Sequence, residues 1–108
     1  MTYICYMVYI CYSMKTIHRY PLQAEDVQEI EIPGLIRPLS AGLDPKGELS
    51  IWAYRESDEK SKPSKLIVTC ILTGHEAKLT KNDKFLGTVL WGSVMNKFVI
   101  HVHARTAK

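Results

Sequence analysis

What this sequence does not contain closes several classes of protein to it. Its three cysteines, Cys5, Cys11 and Cys70, are an odd number and lack the paired spacing of a disulfide framework or a structural zinc site. A reducing, cytoplasmic setting fits them best. No serine sits in a Gly-x-Ser-x-Gly turn, and no glycine-rich loop is present to cradle a phosphate. The six glycines are scattered singly, as turns and bulges use them. No apolar run approaches the roughly 20 residues that a membrane-spanning helix needs. No amphipathic helix pattern appears anywhere in the chain. Charge of one sign is also scarce: a net +3 over 108 residues permits an anionic partner but lacks the clustered basic patch that argues for one.

What is present is a series of short apolar segments bounded by turn residues, within a length that suits one domain. The longest in the second half of the chain is Leu66 to Leu72, LIVTCIL, inside the stretch Lys65 to His75. Its β-branched content and length predict a strand buried on both faces at the centre of a sheet. The polar segment Ser57–Ser64 before it reads as a loop, and Gly74 ends it, leaving His75 at the entry to the next loop. Lys15 to Tyr20 reads as a first strand with Ile17 as its apolar residue, closed by Pro21. Val27 to Ile32 alternates, with Ile30 and Ile32 on one face and Glu29 and Glu31 on the other. Leu35 to Leu43 is a weaker strand, because Pro38 belongs at an edge or a bulge.

Asp44-Pro45-Lys46-Gly47 is a tight turn. Glu48 to Glu56 follows as a strand with Leu49, Ile51 and Ala53 on one face and Trp52 and Tyr54 on the other. Glu76 to Asp83 is a polar loop. Lys84 to Trp91 places Phe85, Val89 and Trp91 on one face, and Gly87 marks a bulge or a close backbone approach. Phe98 to Arg105 places Phe98, Ile100, Val102 and Ala104 on one face and Val99, His101, His103 and Arg105 on the other. The chain neighbours of the Leu66–Leu72 strand are its candidate antiparallel partners. The expected fold is all-β: a small antiparallel sandwich or barrel-like meander of about seven short strands.

The first thirteen residues, MTYICYMVYICYS, differ from the rest. They carry no charge and repeat Tyr-Ile-Cys-Tyr twice. They lack the basic start and small-residue cleavage site of a signal peptide. Their composition is that of translated AT-rich DNA, which marks Met14 as the natural start and 1–13 as a non-native extension. An extra edge strand is the alternative. Residues 14–108 then form the single β domain.

Beginning at Met14, MKTIHRYPL, EIEIP, Trp52-Ala53, Thr73-Gly74-His75, Leu86-Gly87-Thr88-Val89 and His101-Val102 occur in an order that resembles a family of small phage- and prophage-encoded proteins of unknown function. The resemblance spans about 14–102 and rests on the order of short motifs. It implies a compact, mostly β, bacteriophage accessory protein and supplies no catalytic residue. Family members carry an aromatic residue after the final His-Val, where this chain has His103, so the family pattern gives His103 no role.

Two groupings of side chains carry candidate chemistry. Trp52 and Tyr54 with Arg55, His101, His103 and Arg105 would make an aromatic and basic sheet face, able to stack bases and neutralise phosphates. The bland reading puts the two aromatics in the core. Thr73, Gly74, His75 and His101 would make a strand-end pocket, unless His75 simply caps its turn through a backbone hydrogen bond. The resulting expectation is a non-enzymatic protein of the host cytoplasm with no cofactor. It would bind a host or phage protein, or a nucleotide or single-stranded nucleic acid, through Trp52, Tyr54, Arg55, Thr73, Gly74, His75 and His101. The alternative is a metal-dependent enzyme using His75, His101 and His103, a set with no cysteine pair or orienting carboxylate to support it.

Overall fold

Alternation of apolar and polar residues organises everything that the structure, a computed structural model, describes: residues 14–23 and 25–107. The 1–13 segment, with its two readings, lies outside the described residues, as does Ala24 within the connection that follows the first strand. Seven strands appear: β1 (Lys15–Pro21), β2 (Val27–Pro33), β3 (Leu35–Leu43), β4 (Leu49–Glu56), β5 (Pro63–Leu72), β6 (Lys84–Gly92) and β7 (Lys97–Thr106). No helix occurs among the described residues.

The strands divide into two antiparallel sheets, β1-β4-β3 and β2-β5-β7-β6. They enclose one core and do not close into a barrel. The core is Ile32 of β2, Leu49, Ile51 and Ala53 of β4, Leu66 and Val68 of β5, Val89 of β6, and Ile100, Val102 and Ala104 of β7, with Leu22 beside them. Each fully buried aliphatic side chain here contributes about 1.5–3 kcal/mol of apolar transfer energy. Ile30, Tyr20 and Trp91 pack against its margin.

The connections explain the partition. The crossover from β1 to β2 changes sheets: Leu22 N–H donates to the Leu49 carbonyl in one sheet, and the Asp26 carbonyl accepts from Cys70 N–H in the other. At the next corner Gly34 N–H donates to the Lys62 carbonyl, and the Gly34 carbonyl accepts from Glu56 N–H. One residue is thereby stitched to both sheets. Its φ is +66°, and an added Cβ would lie 2.7 Å from Glu56 Cβ and 2.9 Å from Ser61 Cβ. Only glycine fits that conformation and that space together.

The expected turn after β3 forms as the sequence predicts. Asp44 Oδ1 accepts from Lys46 N–H at 2.9 Å and Glu48 N–H at 2.8 Å, while Oδ2 pairs with Arg19 at 3.1 Å. Pro38 lies on the edge strand β3, beside a register irregularity, as its missing N–H requires.

Four placements differ from the sequence reading. The Leu66–Leu72 strand buries one face, Leu66 and Val68, while Ile67, Thr69 and Ile71 are only half-buried, because nothing in the two-layer fold covers the outside of its sheet. Its partners are β2 and β7 instead of its chain neighbours β4 and β6, since the 57–62 loop crosses from one sheet to the other. Ile17 points outward opposite Tyr54 and is 56% exposed, and Tyr20 is the β1 residue that reaches the core.

Phe85 leaves the Val89 and Trp91 face. A bulge at Leu86 inserts one residue between the Phe85–His103 and Gly87–Val102 pairs, which reverses the alternation. The bulge coincides with the approach of β6 to β3, where a Cβ on Gly87 would lie 3.0 Å from the Ala41 carbonyl oxygen. On β7 the expected faces form, although Phe98 at the strand's start is left exposed beyond the edge of the core.

Candidate functional site

The outer side of the β2-β5-β7-β6 sheet collects most of the chemistry that the fold leaves accessible. Cross-strand register places Val27 beside Thr69, Thr69 beside His103 and His103 beside Phe85 in one row. The next row runs through Ile71, His101 and Thr88. An outer sheet face normally alternates to polar side chains. This one instead exposes Val27 (57%), Phe85 (59%), Leu90 (53%) and Val99 (39%) around half-buried Ile67 and Ile71.

His101 is fixed at the centre of this face. Thr73 Oγ1 lies 2.7 Å from its Nε2 and Thr88 Oγ1 lies 3.0 Å from its Nδ1. In a neutral imidazole one hydroxyl donates to the bare nitrogen and the other accepts from the N–H. The ring on β7 is therefore clamped between the corner that follows β5 and the strand β6, with both nitrogens engaged. The Thr73 corner is itself held to β7 through its N–H to the Val99 carbonyl, 3.2 Å.

His103, two residues on, packs its ring against Phe85 with centroids 5.3 Å apart and planes tilted 56°. Its Nδ1 is buried and has no hydrogen-bond partner among the described residues. Arg105, next along the row, pairs with the buried Asp83 carboxylate at 3.7 Å.

A hollow of about 250 Å³ opens beside this face, lined by Val27, Thr69, Ile71 and the segment from His75 to Lys78. Gly74, at φ +90°, turns the chain between Thr73 and this segment. The His75 backbone N–H donates to the Leu72 carbonyl at 3.0 Å, so it is the main chain that closes the turn. The imidazole is exposed and lines the hollow.

The structure thus brings Thr73 and His101 into direct contact and sets Gly74 and His75 next to them. It separates the other sequence candidates. Trp52 and Tyr54 are half-buried on the outside of the opposite sheet, where the Arg37 guanidinium lies 5.7 Å from the Tyr54 ring centroid. Arg55 points the other way, inward, and is 2% exposed.

Arg55 is held by the Glu56 carbonyl, the Tyr20 hydroxyl and the Glu59 carboxylate. Burial opposes its charge, and the Tyr20 and Glu59 oxygens outweigh that effect, raising its pKa. Its role is to tie the end of β4 to β1 and to the following loop. The aromatic and basic face therefore does not assemble: Trp52 and Tyr54, Arg55, and the histidines occupy three different surfaces, because alternation sends Arg55 to the face opposite its neighbour Tyr54.

His75, His101 and His103 do not make a metal-binding group; no cluster of three histidine, cysteine or acidic residues suited to a metal occurs among the described residues. Sequence reasoning missed the hydroxyl clamp and the apolar outer face. Thr88 opposite His101 was recoverable from strand pairing, but Phe85 joined this face only through the bulge.

The chain belongs to the family described as "Domain of unknown function (DUF7352)", whose match spans residues 14–108. No curated protein and no solved structure matches it.

Proposed function

We propose that this member of the family is a non-enzymatic binding domain that takes a protein partner on the outer face of the β2-β5-β7-β6 sheet. The observation that carries the reading is the exposure of Val27, Phe85, Leu90 and Val99 around the clamped His101. An apolar centre on a sheet face, bordered by polar edge residues such as Glu29 and Glu31 of β2, has the anatomy of a protein interface.

A nucleotide or single strand fits less well. Such ligands are held by cations interleaved with stacking rings, and the two rings best suited to stacking, Trp52 and Tyr54, lie on the other sheet, while Arg105 on this face pairs with Asp83. The resemblance of the motif order to that of small phage and prophage proteins supports a phage accessory role, and the cysteine usage supports action in the host cytoplasm.

The test uses three baits in lysate from phage-infected host cells, read by mass spectrometry: the native chain, a Phe85→Lys/Leu90→Lys variant, and Ile17→Lys on the opposite sheet. All three positions are exposed, so folding should be preserved. A protein retained by the native chain and by Ile17→Lys, but lost from the double variant, supports the reading. Identical retained sets on all three baits would remove it.

A further inference from the structure

Between the sheets the sandwich opens at one end into a cavity of about 160 Å³, which shares Asp26, Cys70 and Leu72 with the hollow beside the outer face. Its walls are Leu49, Cys70, Leu72, Trp91, Phe98 and Ile100, and its mouth carries Gln23, Glu25 and Asp26. Trp91 and Phe98 are direct cross-strand partners, so the two aromatic rings come from one rung of the sheet. A space of this size holds one six-membered ring or a branched aliphatic group.

The mouth is a built feature of the β1–β2 crossover. Leu22 is bonded to β4 and Asp26 to β5, at 2.9 and 2.8 Å. Gln23 and Gln28 exchange two further hydrogen bonds, from Gln23 N–H to Gln28 Oε1 and from Gln28 Nε2 to the Gln23 carbonyl, both 2.9 Å. Asp26 is thereby held at an apolar opening with Glu25 next to it in the chain, both exposed and without an ion pair among the described residues.

We propose that this cavity binds a small amphiphilic monocation: a ring-sized apolar group that enters between Leu72, Trp91 and Phe98, joined by a short linker to an ammonium that meets Glu25 and Asp26. The apolar walls select the ring, and the two carboxylates select the sign of the charge. Cys70, on the wall, has its thiol pushed up to about 11 by burial, with the neighbouring Asp26 charge adding to the effect. The same chemistry is carried by a free aralkylamine and by the first residue of a peptide whose N-terminus is phenylalanine or leucine.

The experiment is a titration of the full chain followed by ¹H–¹⁵N NMR, reading the Trp91 indole N–H and the Cys70 amide, with the Trp52 indole as internal control. The probes are 2-phenylethylamine, 2-phenylethanol and 3-phenylpropionate. The amine should shift Trp91 and Cys70 and leave Trp52 still, binding roughly fivefold to tenfold more tightly than the alcohol. The carboxylate should bind weakest.

A Glu25→Gln/Asp26→Asn variant, altered only at exposed positions, should lose the preference of amine over alcohol. Leu72→Trp should fill the cavity and abolish both. Should Leu72→Trp fail to fold, the carboxylate variant still decides. A tetrapeptide beginning with phenylalanine, free or N-acetylated, identifies the source: binding of the free form alone assigns a peptide end, and binding of the amine without either peptide assigns a small molecule. No shift at Trp91 with millimolar amine, or equal affinity for all three probes, would overturn the proposal.

Discussion

Replacing Gly34 with alanine tests the corner on which the two-sheet partition depends. Three terms set the magnitude. Holding alanine at φ +66° costs about 1–2 kcal/mol. Its Cβ would lie 2.7 Å from Glu56 Cβ and 2.9 Å from Ser61 Cβ, two stiff side-chain roots, and relieving such overpacking costs about 1–3 kcal/mol. Stiffening of the unfolded chain returns about 0.4–1 kcal/mol.

The net loss is about 1–4.5 kcal/mol, a large share of the roughly 5–15 kcal/mol that holds a domain folded. It corresponds to a fall of roughly 5–25 °C in Tm. Gly47→Ala is the matched control: Gly47 has φ +83° but no atom within 4 Å of the added Cβ, so it carries the conformational term alone, about 0–1.6 kcal/mol after the same offset. Urea denaturation of both variants at constant m-value measures the difference. Equal losses in the two would refute the close packing at the corner. A negligible loss in both would refute the left-handed conformation as well.

Leu66→Ala should cost about 2–5 kcal/mol and Leu72→Ala clearly less, because Leu66 is fully buried and Leu72 only half-buried at the cavity; denaturant midpoints that rank them the other way would misplace the core. His75→Ala should leave stability within about 0.5 kcal/mol of native, since the turn bond is made by the backbone N–H that alanine keeps, and a larger loss in urea melts would mean that the ring itself supports the corner. The Asp44 carboxyl is held below its ordinary 3.8, chiefly by the Glu48 N–H, against the opposing effect of burial, with Lys46 N–H and the Arg19 charge assisting. A lowered folded pKa stabilises above pH 3.8 and is lost as pH falls below that value, so Asp44→Asn should be less stable at neutral pH and should close the gap to native in acid; a gap independent of pH would contradict this. With its thiol near 11, Cys70 should be about a thousandth thiolate at pH 8, and its alkylation by iodoacetamide, followed by peptide mass spectrometry, should still be rising at pH 10, where an ordinary thiol would already have levelled off.

The candidate site was legible in part. Thr73 and His101 stood out because a glycine-ended strand exposes its last residues and because His101 alternates away from the apolar row of β7. The grouping of Arg55 with Trp52 and Tyr54 failed on the same alternation, which turns Arg55 inward to the Tyr20 hydroxyl and the Glu59 carboxylate. Nothing local to Arg55 announces the Tyr20 part of that partnership, since Tyr20 comes from a strand paired with β4 across the chain.

Strand positions, the turn at Asp44, the edge location of Pro38 and the inward rows of β2, β4 and β7 were determined by the sequence itself. They rest on side-chain periodicity and on backbone restrictions that act within a few residues. Which sheet each strand joins, which row meets the opposing sheet and which stays outside were decided only by the tertiary structure. A two-residue period defines two faces for every strand but does not say which of them another layer will cover. Ile17 and Ile71 are as apolar as Ile32 and Ile51, yet only the latter two are sealed in the core. At Gly87 the sequence marked a bulge or a close approach, and the structure has both: β6 shifts its register at Leu86 and Gly87 meets the backbone of Ala41 in the other sheet. That Phe85 turns outward as a result was not legible locally.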